Sequence, residues 1–527
     1  MGLLLVVVLV IIISRQSSIK KRQKMLRELK ENWGKPKSSH LFGTVAEISA
    51  YCDFTEPKYD RLTDQPKEDV DFEDLFQHVD RTISRVGQQY FYKKLSEPSN
   101  LTTDPLKKLV DEFTNDLILR ERVQKELIKL SSDDAYTIAS LLSKTQIEKP
   151  SWYWVLPISL VSIPILMILS FWFPISIIAL IIPFGININI HLWNKGNTFV
   201  YLKSIPQLNV LINVCRNLSQ YQNLNFVQEI SSCIIEMKKF QRKSRLIRFR
   251  EEGIGDDISQ FVLDMIKAMF LVEVISLFSL LKEVKSKTTS IITQFEYIGQ
   301  VDSAMSVSAL KSGEQILCTP KFIQAQKTFM IKNGFHPLIE SCTPNDLKID
   351  SKSALITGSN MSGKSTFLRM IAINSILAQT IYTCFAEAFE LPLLKPLSSI
   401  RIDDYLFEGK SYFFEEVSVV GELIEESNKE TQCIFLLDEV FKGTNTVERI
   451  ASAKAILSYL NQGNNIVLVA THDIELANLL KEEYDLYHFT EIIENNLLQF
   501  DHSIKPGSLK TRNAIKLLEL AQYPEQI

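Results

Sequence analysis

The chain has 527 residues, enough for two or three domains, each with its own core. Charged residues make up 23% and hydrophobic residues 46%, which excludes a disordered chain, while a formal net charge of −4 excludes a protein that coats nucleic acid through general positive charge. Seven cysteines, scattered from Cys52 to Cys433 with no CxxC pair and no zinc spacing, read as small buried hydrophobes in a reducing compartment.

In chain order, the first feature is the apolar run Gly2–Ile13, followed by Arg15, Lys20, Lys21, Arg22, Lys24 and Arg27. A dozen residues at ~1.5 Å each fall short of a hydrocarbon core ~30 Å thick. A signal-peptide core, a short anchor and the tail of a longer span compete here. With no basic region before the run and no small-residue cleavage site after it, an anchor over residues 1–14 with a cytoplasmic basic flank is preferred. Residues 15–68, basic and then polar with Pro36, Pro57 and Pro66, read as a linker.

From about Asp69 the apolar residues recur at three- and four-residue steps, predicting long helices over 69–150 and 195–332. Helices of this kind make levers or bundle walls. Between them, Ser151–Asn194 contains no Asp, Glu, Lys or Arg. It is too long for one ordinary span and suits a transmembrane hairpin turning near Ser170–Pro174. Trp152, Tyr153, Trp154, Trp172 and Trp193 fall near the ends, where amphipathic rings favour the membrane interface. A hairpin returns the chain to the side it left, so both helical segments and everything after them share the cytoplasmic side. The bland alternative is a buried helix pair. Downstream, Met237–Arg250 holds seven Lys/Arg and no acid; it suits nucleic-acid phosphate, anionic lipid head groups or a solvated helix face.

Near Asn333 the pattern changes to short apolar strands alternating with helices, the signature of a parallel α/β sheet. The run Gly358-Ser359-Asn360-Met361-Ser362-Gly363-Lys364-Ser365 fits G-x-x-x-x-G-K-[ST], with strand residues Ala354–Thr357 before it and a helix starting at Thr366 after it. Such a loop curls its backbone N–H groups around phosphate, aided by the helix N-terminus. Lys364 supplies a point charge for the β- and γ-phosphates of ATP, and Ser365 a hydroxyl for Mg²⁺. The apolar strand Cys433–Leu437 ends in Asp438, suited to hold the metal, and Glu439, suited to polarise an attacking water. A bare acidic pair at a strand end is the alternative. The strand Ile466–Ala470 leads to Thr471-His472-Asp473, where His472 is positioned to sense the transferring group.

Taken together, these residues resemble the MutS family of DNA mismatch-repair ATPases, whose ATPase is of the ABC class. TGSNMSGKSTFLR looks like the family's TGPNMxGKSTxxR, with Ser359 in place of proline. LLDEVFKGTNTVE resembles LxDExGRGTSTxDG, with Phe441-Lys442-Gly443 in place of the GRG turn, and ATHDIELANL is similar to ATHYxEL. Asp404 with Gly409–Phe413 and Glu416 is similar to the family's DD…SGxSTFxxEM segment. The resemblance implies that Ser411 reaches the γ-phosphate bound by a second subunit, and that Gly443–Thr446, including Asn445, faces that subunit. It implies that Phe335, in an FHP segment, runs close to adenine. DLFQHVDRTISRVGQQYFYKKLSEPS and YIGQVDSAMSVSAL are similar to the family's core and lever helices. The fold implied is an α/β P-loop ATPase domain over 333–527 after an all-α core and lever interrupted by the hairpin.

Set beside the resemblance, residues 1–70 are expected to be too short for the family's mismatch-reading and connector domains, and no helix-turn-helix is expected after the TRNAIKLLELAQYP segment. The expectation is a membrane-tethered, homodimeric MutS-like ATPase using ATP and Mg²⁺, DNA-binding and related to mismatch repair or recombination, with mismatch specificity not implied. The alternative is an ABC-type membrane ATPase or ATP-gated tether with no DNA role.

Overall fold

The computed structural model describes residues 20, 23–38, 43–57, 60–98, 105–143, 147–244, 271–314, 316–324, 326–359, 361–401, 412–441, 445–494 and 497–509. The expected anchor over 1–14, Arg245–Arg250 of the basic run and the TRNAIKLLELAQYP segment lie outside the described residues. The chain forms two compact units, each discontinuous in sequence. One comprises residues 1–56, 80–93 and 105–313; the other comprises 57–79, 94–104 and 314–527.

The first unit is helical. Its longest helix, Thr288–Gly313, buries almost every side chain from Phe295 to Leu310, polar ones included. Small residues allow that. A Cβ on Gly299 would lie 2.2 Å from Tyr90, and one on Gly87 would lie 2.1 Å from the Asp302 carboxylate, so both positions need glycine for close approach. Asp302 accepts from the Ile83 and Ser84 backbone N–H groups (2.9 and 2.7 Å) and from the Ser84 hydroxyl (2.6 Å). Burial still pushes its carboxyl up to about 6, those hydrogen bonds opposing the shift.

The stretch expected as a linker is partly helical. Thr44 and Glu47 form a capping box that starts the helix Val45–Phe54, and Tyr51 of that helix stacks on Phe295 with ring centroids 4.1 Å apart. Few apolar residues are needed when one aromatic anchor is fully buried, which a compositional reading passes over.

Within this unit the apolar segment folds as the helices Val155–Leu169, Ile175–Ala179 and Ile181–Asn197, joined near Ser170–Pro174. Two stretches, Ser151–Leu169 and Ile175–Asn194, have the length and composition of membrane spans. Only 17% and 28% of them are buried, so they are not an internal core pair of this unit. They meet through a hydrogen bond from Ser159 to the buried Asn187 and through Trp152 and Trp193, whose rings stand edge-on 4.9 Å apart.

The second unit holds two sheets. We number its strands β1 Lys321–Phe322, β2 Thr328–Gly334, β3 Asn345–Asp350, β4 Ser353–Thr357, β5 Ala388–Leu391, β6 Lys395–Ser399, β7 Cys433–Asp438, β8 Ile466–Thr471, β9 Tyr484–Glu494 and β10 Leu497–Pro506. Strands thus begin at Lys321, earlier than the expected switch near Asn333. The smaller sheet runs β1-β5-β2-β3; the larger runs β10-β9-β4-β8-β7-β6, parallel except for the antiparallel β9–β10 hairpin. β4, β7 and β8 are largely apolar and buried along their length, save for Asp438 at the end of β7, as expected where helices cover both faces of a parallel sheet. Register sets what meets at their carboxyl ends: Thr357 pairs with Thr471, and Asp438 with Ala470. Three segments distant in sequence therefore emerge side by side.

Candidate nucleotide site

The loop after β4 leads into the helix Lys364–Ile381, whose N-cap Gly363 has φ +112°. That left-handed backbone favours glycine, and a Cβ there would also press within 3.3 Å of His502. At Gly358 a Cβ would lie 2.8 Å from the Ser362 hydroxyl. Ser362 is buried and its hydroxyl has no hydrogen-bond partner among the described residues. A buried orphan hydroxyl inside a curled loop fits a cradle that takes an anion.

Lys364 is buried, and its ammonium donates to the carbonyls of Gly358 (2.9 Å) and Ser359 (3.0 Å). Those bonds hold the charge over the loop. The Ser365 hydroxyl bonds the carboxylate of Asp438 across the β4–β7 gap. A hydroxyl beside a carboxylate is a hard-oxygen pair of the kind Mg²⁺ takes. Glu439 sits at φ +57°, its N–H donating to Ala470 O (2.9 Å). A glutamate in left-handed backbone costs on the order of 1 kcal/mol or more, and such outliers concentrate at functional sites. Its carboxylate lies 3.2 Å from His472 Nδ1. Behind His472, Asp473 is gripped by Arg449 through two hydrogen bonds of 2.9 and 3.1 Å, which steadies the end of β8.

These groups border a cavity of ≈ 660 Å³, a size typical of small-molecule sites. Ser359, Met361, Gly363, Lys364, Ser365, Thr366, Asp438 and Glu439 line it. His472 touches it through Glu439. Phe335 does not line it: it is half-buried and packs edge-on against Phe385 at 5.6 Å, while its neighbours Gly334 and Ile339 reach the cavity. Asn445 caps the helix Thr446–Leu460 by accepting from Glu448 N–H at 3.0 Å. Asn360, Ser411, Asp404, Gly443 and Thr444 lie outside the described residues.

One further contributor, His502, carries no sequence signal. A register shift in β10 between Phe500 and Ile504 turns His502 to φ +50°, so that its Nδ1 lies 3.1 Å from Ser362 O on the cavity wall. Asn345 of β3 fixes that turn, donating to His502 O (3.0 Å) and accepting from Ile504 N–H (2.8 Å). Ser359, standing where the resembling motif has proline, donates to Glu491 of β9 at 2.6 Å. This bond ties the loop to the hairpin, as a rigid ring would otherwise stiffen it.

Residues 354–527 match the family described as MutS domain V. The DNA mismatch repair protein MutS of Thermus thermophilus is 35% identical over 201 residues, 37% of this chain and 24% of that protein. MutS of Lactobacillus delbrueckii subsp. bulgaricus is 32% identical over 265 residues, 47% of this chain and 31% of that protein. MutS of Natronomonas pharaonis is 30% identical over 207 residues. The matched region spans about a quarter to a third of the length of these relatives.

Proposed function

We propose that this chain is a MutS-family ATPase that binds and hydrolyses ATP with Mg²⁺, works as a homodimer and is tethered to a membrane by its apolar hairpin. One observation carries the reading: the register of β4, β7 and β8 gathers Lys364, Ser365, Asp438 and Glu439 around a single cavity, with His472 3.2 Å from the Glu439 carboxylate. Lys364 and the loop would hold the phosphates, and Ser365 with Asp438 the metal. Mg²⁺ held there supplies charge neutralisation at the β- and γ-phosphates. Glu439 would orient and deprotonate the attacking water, with His472 Nδ1 holding its carboxylate in place.

Turnover of the detergent-solubilised full chain tests this. Glu439→Ala is expected to lower ATP turnover by about 10²–10⁴-fold with nucleotide affinity kept, as for loss of a general base. Lys364→Ala is expected to weaken nucleotide binding itself. Unchanged turnover in the Glu439 variant would remove it from the catalytic role.

A role on DNA follows from the likeness to proteins named for mismatch repair. Binding of duplex, mismatched or branched DNA should then weaken steeply with salt. The competing reading, an ATP-gated tether with no DNA role, draws on the two exposed apolar helices. Absent or salt-insensitive DNA binding, with ATP turnover intact, would favour it.

A further inference from the structure

The helices Lys238–Ser244 and Val272–Ser286 pack together in the helical unit and share one acid between them. Glu283 accepts an ion pair from Lys243 at 2.5 Å and lies 3.7 Å from Lys239. It is opposed by more cations than it can neutralise. Lys238, Arg242, Lys282 and Lys285 are exposed and pair with no acid among the described residues, and Lys239 is 73% exposed. The helix Lys238–Ser244 has no acid at all, and Glu273 lies about two and a half turns back from Lys282.

What faces this cluster is set by Phe278. Its ring meets Tyr153 edge-on at 5.3 Å, and Tyr153 stands at the start of the first apolar span. Lys149 adds a cation over that tyrosine, 4.7 Å from its ring. Phe278, Lys282 and Lys285 are spaced i, i+4, i+7 and follow one side of their helix. Lys285 is therefore only ~10 Å along the helix from the foot of the hairpin. A polar headgroup layer adds several ångströms beyond the hydrocarbon core, and the Debye length at physiological salt is ~8 Å. Charges this close to a bilayer are felt by its surface and little screened. A duplex seated on the same lysines would compete with that surface for the space.

We propose that Lys238, Lys239, Arg242, Lys282 and Lys285 form a docking face for the anionic headgroups of phospholipids around the foot of the hairpin. This rests on the hairpin entering the bilayer. It gives the tether a lipid preference and orients the helical unit on the membrane, since the patch can reach headgroups only with the hairpin's foot at the same surface.

The test uses the full chain reconstituted in vesicles containing acyl-brominated phosphatidylcholine or phosphatidylglycerol. Quenching of Trp152, Trp154 and Trp193 reports which lipid surrounds the foot, and Trp172→Phe removes the tip's signal. Stronger quenching by phosphatidylglycerol is expected, equivalent to a preference of about fivefold or more. It should collapse on raising salt and in the combined Lys238→Gln, Lys239→Gln, Arg242→Gln, Lys282→Gln, Lys285→Gln variant. That variant keeps the Lys243–Glu283 pair; if it fails to fold, Lys282→Gln and Lys285→Gln singly should each lower the preference. Equal quenching by both lipids overturns the proposal and leaves the hairpin in the bilayer. Quenching by neither overturns the bilayer reading itself. A preserved lipid preference with lost salt-sensitive duplex binding assigns the patch to nucleic acid and also overturns the proposal.

Discussion

At the scale of single residues, His336 shows how a motif residue can act through burial. It is 4% exposed, and its Nδ1 accepts from Leu338 N–H at 3.3 Å. Burial, helped by the Arg369 charge, pushes its imidazole down to about 4. The unfolded chain takes up a proton near 6.5 while the folded one resists until about 4, so this group's contribution is present above 6.5 and is lost as pH falls through that window. The difference corresponds to about 3 kcal/mol. Thermal melts at stepped pH should show a drop between those values that is reduced in His336→Asn, which keeps an acceptor for Leu338. An unchanged drop would place the loss on the carboxylates instead. The run Gly358–Ser365, Asp438 and Glu439 were all legible as single residues, because phosphate and metal chemistry constrains residue type and spacing. His502 was not, since a lone histidine in a hairpin has no pattern until a bulge aims it.

Among elements, the segment Asp64–Asp71 is the clearest case of a short piece deciding a larger geometry. Asp69 is fully buried and accepts from the N–H groups of Ile400 (3.1 Å) and Arg401 (2.7 Å), closing off the end of β6. Asp71, at φ +51°, takes Arg401 through both oxygens (2.5 and 3.2 Å) and lies 3.8 Å from Arg369 on the helix that follows the phosphate loop. The helix Lys364–Ile381 and the chain just after β6 thus share one carboxylate. Asp71→Asn tolerates the left-handed backbone but loses the charge. It should cost on the order of 1 kcal/mol, a modest figure because the pair is partly exposed. A double-mutant cycle with Arg401→Gln on thermal unfolding should return a coupling of similar size, and strict additivity would show that the two do not interact. The strands around the site were legible from their apolar runs. The capped helix Val45–Phe54 and residues 64–68 were read as linker, and Asp69 and Asp71 as part of the helical region, because their contacts join residues hundreds of positions apart.

For the whole molecule, the site described here is built from one chain, while the resemblance assigns Ser411 and Gly443–Thr446 to a second subunit's site. The expected consequence is nucleotide-dependent association. Light scattering of the solubilised Glu439→Ala chain, which should retain ATP, is predicted to show a dimer with ATP·Mg²⁺ and a smaller species without it. A mass indifferent to nucleotide would argue for a site complete within one subunit. The same scale holds the proposed tether: two apolar helices have little of their surface buried, and their Ser159–Asn187 bond holds them as a pair.

Sequence alone determined the local patterns: the glycine-bounded loop with its lysine, the acidic strand end, the absence of charge from Ser151 to Asn194 and the switch from helical to strand periodicity. Each depends on neighbours a few residues away, so a one-dimensional pattern suffices. Tertiary structure alone decided which strand ends align, how β10 brings His502 to the loop, that residues 57–79 and 94–104 belong with the sheet-bearing unit, and that Glu283 joins two lysine-rich helices, one of which sets Phe278 against Tyr153. Those outcomes depend on register and on packing between distant segments, which no local spacing encodes.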